Sequence, residues 1–482
     1  GVGSWLETGA RPWERWVSRR LLCRPALSIV LGDYYHEDAA KLSPRNIVTV
    51  PNCAPDPCPD YDTVLQPAQQ SRAKALGQAP VRDAGLARLG VIQVTHGFGA
   101  HCRHSRLAKA SQARFWIAIR LAKREKNRAV TTLSEQASQF DALLQRDEPM
   151  LALAPMQDVT DLPFWRVIAG RGGADVYFTE YFRVHADSRL EKPILRSITE
   201  NPTGRPVVAQ MIGNSIPDLV RTARELQQYP IAGVDLNFGC PAPIVYKKRA
   251  GGGLLREPER IDRILGALRD AVETRFTVKT RIGFDDAVVF DELLPIFARH
   301  NLDLLTIHGR TVKEMYRSAV HYDFISRAAE AMDCPVLANG NVYSAAKAES
   351  VLRETGAHGL MIGRGVIRNP WLFAQIRRHL SGEPPAWPSG RDVLDYVTDL
   401  FEMTAPENYI EKSQVHKMKK YMNYFGLGVD ADGRFLHDIR RAQTKVDFFA
   451  ICREHLDHDE PMPLDPFSPE LKTTDVVAGC HT

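Results

Sequence analysis

Nowhere in the 482 residues is there an apolar run of about 18, so no membrane-spanning helix is expected. Cysteine is scarce. Eight scattered thiols in a chain this long exclude a small disulfide scaffold and point to a reducing compartment, which places the protein in the cytoplasm. No Gly-x-Gly-x-x-Gly sits between a strand and a helix, which excludes a nicotinamide-type Rossmann domain. Cys53 and Cys58 lie near a zinc-type spacing but have only Cys102, His101 and His104 as distant company, so no metal site is expected. Acidic residues are missing altogether between Ala84 and Arg124. Residues 1–148 carry 21 Lys and Arg against 14 Asp and Glu, an excess of +7, whereas the whole chain stands at +4. Such a stretch suits an RNA-binding arm or equally a disordered one. The chain begins with Gly rather than Met, so residues 1–148 read either as a fragment or misplaced start, or as a working extension of uncertain structure.

From Leu151 onward one pattern repeats. A short apolar run ends in small or polar residues, and an amphipathic helical stretch follows. The runs are Leu151–Met156, Val176–Glu180, Val207–Met211, Gly233–Asn237, Phe276–Arg281, Asp303–His308, Pro335–Asn339 and Gly359–Gly363. Strands without polar alternation are covered on both faces, as in a parallel sheet. Helix-period segments such as Ile216–Gln228, Glu257–Val272 and Ala345–Thr355 lie between them. Eight βα units predict a (β/α)8 TIM barrel over 149–381, with its active site at the C-terminal strand ends. Those ends carry Met156, Glu180, Gln210, Asn237, Cys240, Lys279, Arg281, His308, Asn339, Gly340, Gly363 and Arg364.

Cys240 stands between Gly239 and Pro241 where an apolar run stops. A thiol on such a turn is a candidate proton donor or nucleophile, the plainer alternative being a small buried hydrophobe. Asn339-Gly340-Asn341 and Gly363-Arg364-Gly365 follow the seventh and eighth strands, where barrels commonly hold a phosphate, and Arg364 offers a bidentate charge. A flavin mononucleotide, with one phosphate, suits this better than a dinucleotide.

These residues together resemble the tRNA-dihydrouridine synthases. The matching elements, in the family's order over roughly 149–380, are Leu153-Ala-Pro-Met156 with Thr160-Asp-Leu-Pro-Phe164, Ala209-Gln-Met-Ile-Gly213, Asn237-Phe-Gly-Cys-Pro241, Gly251-Gly-Gly-Leu-Leu255, Val278-Lys-Thr-Arg281, His308-Gly-Arg-Thr311, Ala338-Asn-Gly340 and Gly363-Arg-Gly365. The chain departs from the usual pattern at Asn341, where the family often has Asp, and at Thr179, where Ser is more usual. The resemblance implies FMN-dependent reduction of the uracil C5–C6 bond in tRNA, with NADPH or NADH as donor. Hydride goes to C6, and Cys240 delivers the proton to C5. It further implies that Pro155, Met156, Gln210, Lys279, His308, Asn339, Gly340, Gly363 and Arg364 bind flavin, the plainer alternative for Lys279 being a buried ion pair. By the same implication Asn237 binds the uracil, while Arg281, Tyr316 and Arg317 either hold the substrate nucleotide or stand as solvated rim residues.

Past the Pro- and Gly-rich stretch from Gly382 to Gly390, apolar periodicity returns in three faces: Val393, Val397, Leu400 and Phe401; Val415, Met418, Met422 and Phe425; and Phe435, Ile439, Ala442, Val446 and Phe449. A small helical bundle over 391–456 is expected. Its cations Lys417, Lys419, Lys420, Arg440, Arg441 and Lys445 either form a solvated face or meet tRNA phosphates. Residues 457–482 read as a mobile tail, and the protein as a monomer. Two other readings stay open: a flavin barrel acting on a free pyrimidine or another small molecule, and a non-catalytic RNA-binding protein.

Overall fold

Apolar runs buried on both faces suit a parallel sheet covered by helices, and in this chain the sheet closes on itself. The computed structural model describes strands Ser28–Leu31 and Ile47–Val50 and residues 135–467 other than Glu407. The barrel strands are β1 (Met150–Leu153), β2 (Val176–Phe178), β3 (Val207–Ile212), β4 (Gly233–Asn237), β5 (Arg275–Arg281), β6 (Leu304–His308), β7 (Val336–Asn339) and β8 (Gly359–Ile362). Each pairs in parallel with the next, and β8 pairs back with β1 to close the ring. β1 ends three residues earlier than expected. Ala154 N still donates to Ile362 O, but Pro155 has no N–H with which to continue the ladder.

Burial on both faces explains the apolar runs. Met150, Ala152, Val176, Phe178, Val208, Leu304, Leu337 and Met361 pack with one another inside the barrel. Their chain neighbours Leu151, Leu153, Tyr177, Val207, Leu305 and Leu360 pack outward in the cluster that includes the helices. Those helices are α1 (Leu162–Ala169), α2 (Lys192–Glu200), α3 (Ile216–Leu226), α4 (Pro258–Ala271), α5 (Phe290–Arg299), α6 (Tyr322–Ala331), α7 (Ala345–Thr355) and α8 (Leu372–Leu380). The first four each place proline in the first turn, where the missing N–H costs no hydrogen bond.

The barrel unit reaches further upstream than residue 149. Residues 135–145 are helical, and Phe140 inserts among Met150, Val176, Val208, Leu304, Leu337 and Met361 to close the barrel floor. Gln136 accepts from Val207 N at 2.9 Å, Asp141 pairs with Arg275 at 2.5 Å, and His358 donates to Leu143 O at 3.0 Å. A boundary at 149 cuts through this plug. Further upstream, Ser28–Leu31 and Ile47–Val50 pair in parallel. The acid-free stretch and the Cys53, Cys58, Cys102, His101 and His104 set lie outside the described residues.

The helical bundle consists of α9 (Gly390–Thr404), α10 (Glu411–Phe425), α11 (Arg434–Ile439) and α12 (Lys445–Leu456). The third expected apolar face is two helices rather than one. Thr444 and Asp447 form a capping box that restarts the chain, and Val446 is left exposed beside the cap. The expected tail is also corrected at its start: Met462 and Leu464 are buried, and Pro461 bridges to Ser389. Residues 468–482 lie outside the described residues. The bundle docks on the loop between β1 and α1, where Tyr421 donates to Val159 O at 3.1 Å and Lys417 lies 3.8 Å from Asp161.

Truncating the floor residue, Phe140→Ala, is expected to lower unfolding free energy by about 3–5 kcal/mol, the range for a buried Phe that leaves a cavity. Chemical denaturation measures it, and a loss below about 1 kcal/mol means that the floor is not closed by this ring.

Candidate active site

The alternation that fills the barrel with apolar side chains delivers polar ones at its upper rim. Two residues beyond Val208 stands Gln210, and two beyond Leu337 stands Asn339. Beyond Leu304 come Thr306 and His308 in the same inward phase. Register then makes neighbours of residues far apart in sequence: Gln210 with Asp235, Asn237 with Lys279, and His308 with both Arg281 and Asn339.

A buried hydrogen-bond chain runs across three of these strands. Thr277 donates to Asp235 Oδ1 at 2.6 Å, and Gln210 Nε2 donates to Asp235 Oδ2 at 2.7 Å. Asn237 Nδ2 donates to Gln210 Oε1 at 2.8 Å. The Asn237 carbonyl accepts from the backbone N–H groups of Gly239 and Cys240 at 2.9 and 2.8 Å. The cysteine turn is therefore held from beneath by a side chain of the strand that precedes it. From the side, Arg281 clamps it: Nε donates to Gly239 O at 2.9 Å, and Nη1 to Thr311 O and Met315 O at 2.8 and 2.9 Å. Burial pushes the Cys240 thiol up, with a Tyr181 hydrogen bond and the Arg281 and Lys279 charges opposing it. A thiol raised in this way is protonated at neutral pH and suits proton donation.

The β5 to β8 side is cationic. Lys279 Nζ donates to Asn339 Oδ1 at 3.1 Å, and burial with the Arg281 charge pushes its pKa down to about 8. Arg310 is pushed down to about 10 by burial and by Arg364 and Arg281. Burial and these same cations hold His308 well below its usual range, so its imidazole is neutral. His308 Nδ1 is buried and has no hydrogen-bond partner among the described residues. The Tyr316 ring meets two guanidinium groups, 5.3 Å from Arg281 and 4.9 Å from Arg364. Several cations with no carboxylate ion pair among the described residues, gathered around this imidazole, make a site for an anionic ligand.

Two glycines open the floor of that site. Gly340 has φ +131°, a conformation that L side chains avoid, and an added Cβ would come within 3.0 Å of Val320. At Gly363 a Cβ would meet Met156 Sδ at 2.9 Å, which puts Met156 directly against the β8 turn. Arg364 lies beside this turn and donates to Asn341 Oδ1 at 3.2 Å. A flat ring with an anionic arm fits this set: backbone without side chains at Gly340 and Gly363, cations at Lys279 and Arg364, and one open imidazole nitrogen.

The structure gathers Pro155, Met156, Gln210, Asn237, Cys240, Lys279, Arg281, His308, Asn339, Gly340, Gly363, Arg364 and Tyr316 at one barrel end. Arg317 is exposed beyond them on the β6 loop. Gln210 and Asn237 each keep one amide N–H beyond those engaged in the chain, whereas the Arg281 guanidinium holds three loop carbonyls. Three further residues belong to the site. Asp235 and Thr277 were legible as polar positions inside apolar strands, two residues before Asn237 and Lys279. Tyr181, by contrast, gives no sequence signal of its contact with Cys240.

Across the barrel mouth from the cations lies an acidic group. Glu180 is 8% exposed, accepts from Asp158 N, and is pushed up to about 7 by burial, with Asp161 and Asp158 adding to the rise.

A family model described as Dihydrouridine synthase (Dus) matches residues 152–458. A probable tRNA-dihydrouridine synthase of Rickettsia prowazekii is 36% identical over 290 residues, 59% of this chain and 87% of its own length. A tRNA-dihydrouridine(16) synthase of Cupriavidus necator is 35% identical over 52% of this chain and 81% of its own. One of the same name from Ralstonia nicotianae is 34% identical over 64% of this chain and 96% of its own.

Because the folded-state pKa of Glu180 lies above its ordinary 4.5, the folded protein binds a proton more tightly than the unfolded chain. Its contribution to stability is full below about pH 4.5 and is lost as pH rises through about 7. Glu180→Gln should therefore flatten the fall in Tm between pH 5 and pH 8 and exceed wild type at pH 8. A Tm series at those values checks it, and parallel curves for the two proteins would refute the burial argument.

Proposed function

This chain belongs to the dihydrouridine synthase family, and from that premise we propose that it reduces uridine in tRNA to 5,6-dihydrouridine with bound flavin mononucleotide and NADPH or NADH as donor. The observation that carries the reading is a protonated thiol on a rigid turn at the edge of a cationic, glycine-floored cradle. Gly340, Gly363 and Arg364 would hold the flavin phosphate, with His308 Nδ1 donating or accepting at the cofactor. Met156 and Pro155 would lie under the ring, and Lys279 would face its anionic form. When bound, flavin mononucleotide supplies the hydride for C6 of the uracil.

The remaining steps fall to the chain's own groups. Asn237, its carbonyl engaged by the turn, has one amide N–H left to orient the uracil edge. Cys240 holds a proton where the base enters and gives it up as charge develops at C5. Arg281 keeps the thiol in place through Gly239, and Lys279 and Arg281 stabilise the thiolate that results. Tyr316, 5.3 Å from Arg281 and 4.9 Å from Arg364, would place an aromatic ring beside the entering nucleotide.

The helical bundle would supply affinity for the tRNA backbone. Lys412, His416 and Lys419 line a 320 Å³ cavity with Val415, Ala442 and Gln443, and Arg440 and Arg441 line one of 480 Å³ with His437. Lys420 continues the basic face of α10. Lys417 instead turns toward Asp161 of the barrel, and Lys445 lies 5.1 Å from the Phe401 ring. Two of the relatives above are named for position 16, which is therefore the first uridine to map. Incubating the purified, flavin-loaded protein with NADPH and unmodified tRNA transcripts, then mapping dihydrouridine, tests the function. A colourless protein or an unmodified transcript would overturn it.

Cys240→Ala should keep its flavin and still accept electrons from the nicotinamide donor, yet lose about 10²- to 10⁴-fold in uridine turnover, the usual cost of removing a general acid. Stopped-flow reduction and dihydrouridine formation separate the two half-reactions, and turnover within a factor of two of wild type removes the thiol from this role.

Lys279 is charged below about pH 8 and neutral above it. Affinity for flavin should therefore weaken as pH rises through about 8. Lys279→Met should bind flavin more weakly at pH 7 and show no such slope. Fluorescence titration of flavin against the apoprotein at pH 6.5, 8 and 9.5 measures both.

A further inference from the structure

Resting on the reading of tRNA as substrate, we propose that the segment after Cys240 is itself an RNA-contacting surface. Lys247 and Lys248 take backbone phosphates beside the target nucleotide, while Ile244 packs, together with Val288 of the adjacent β5 loop, against bases uncovered when the uridine leaves its stack.

The segment is rigid and is fastened to the candidate acid. After Pro241 the chain makes one helical turn, Pro243–Tyr246, then runs Lys247-Lys248-Arg249 into the glycines Gly251, Gly252 and Gly253. Those glycines leave no slack. An added Cβ at Gly251 would lie 3.1 Å from Cys240 Cβ, at Gly252 2.9 Å from Cys240 O and 2.5 Å from Val312, and at Gly253 2.6 Å from Tyr246 O. Gly252 N donates to Cys240 O at 3.2 Å. Asn214 Nδ2 holds Lys248 O at 2.7 Å, and the Tyr246 ring meets Phe284 edge-on at 5.2 Å. Whatever this segment displays is thus presented at a fixed place relative to the thiol.

What it displays is cationic and apolar at once. Arg249 is neutralised by Glu257 at 2.6 Å, and Arg256 by Asp285 at 3.0 Å. Lys247 and Lys248 are exposed and have no acidic partner among the described residues. Ile244 is 71% and Val288 79% exposed, both at the mouth of the barrel rather than on its outer helices. A uridine within folded RNA reaches a buried thiol only by leaving its stack, and the bases on either side then lose a face. Aliphatic side chains at the rim cover such faces, and lysines a few residues away meet the phosphates that connect them. A small free pyrimidine has neither flanking bases nor a run of phosphates, so it gives these four side chains nothing to bind.

The test uses the full-length, flavin-loaded protein and an unmodified tRNA transcript. The double variant Lys247→Gln/Lys248→Gln should raise KM for tRNA about 10-fold. It should also flatten the dependence of log affinity on log salt by about 1.4 to 1.8, two phosphate contacts at 0.7 to 0.9 each. Ile244→Ala should lower kcat/KM for tRNA about 5-fold with the salt slope unchanged, as expected of an apolar contact. Arg263→Gln/Arg353→Gln, two exposed helix arginines elsewhere on the barrel, is the charge control and should leave KM and slope at wild-type values. Flavin content equal to wild type shows that each variant is folded. An unchanged KM and slope in the lysine variant, or an equal change in the control, overturns the proposal. A wild-type protein that does not reduce the transcript instead refutes the substrate reading on which it rests.

Discussion

The Asn237 side chain is the constraint on which the candidate site depends. Its carbonyl accepts two successive backbone N–H groups, of Gly239 and Cys240, and so converts a strand end into a fixed turn. Its amide nitrogen is held in turn through Gln210 to Asp235 and Thr277, all buried. A buried network of this kind is costly where members go unsatisfied, and here they satisfy one another across β3, β4 and β5 apart from one amide N–H each of Gln210 and Asn237. The thiol inherits that rigidity. Removing any link would free the turn and strand a buried polar partner.

Electrostatics divides the barrel mouth. Burial and neighbouring guanidinium charge lower Lys279, Arg281 and Arg310 and keep His308 neutral, whereas burial, with the Asp161 and Asp158 charges beside it, raises Glu180 on the opposite side. These cations have no carboxylate ion pair among the described residues, and crowding them is destabilising unless an anion joins them, so the site stores a preference for an anionic ligand. The acidic side lies where α10 docks: Tyr421 bonds Val159 and Lys417 faces Asp161. The bundle that would carry RNA affinity therefore rests on the loop that also supplies Met156.

The parallel barrel, the order of its strands and the inward phase of Gln210, Asn237, Lys279, His308 and Asn339 were legible because burial on two faces and a side-chain period of two are local properties of the chain. Helix boundaries followed from the same periodicity, with Ala345–Thr355 matched residue for residue. Other features were not legible. Phe140 lies in a short, mostly polar helix whose apolar partners are spread over the whole barrel floor. Lys417 belongs to a basic run, and only the docking of the bundle turns it toward Asp161. Val446 falls in phase with an apolar face, but the Thr444 cap ends that phase. Met462 and Leu464 follow a Pro-rich acidic stretch that looks like a tail until the packing beneath it is known.

By itself, the sequence determined which residues would stand at the strand ends and which chemistry they could carry, because alternation and turn composition are written residue by residue. Tertiary structure alone decided their states. Whether a thiol is protonated, a lysine weakened or an imidazole neutral depends on burial and on charges brought close from distant strands, and no spacing along the chain encodes those distances. It likewise decided that Lys247 and Lys248 have no acidic partner among the described residues while Arg249 has one, since the carboxylate that neutralises Arg249 is chosen by the fold.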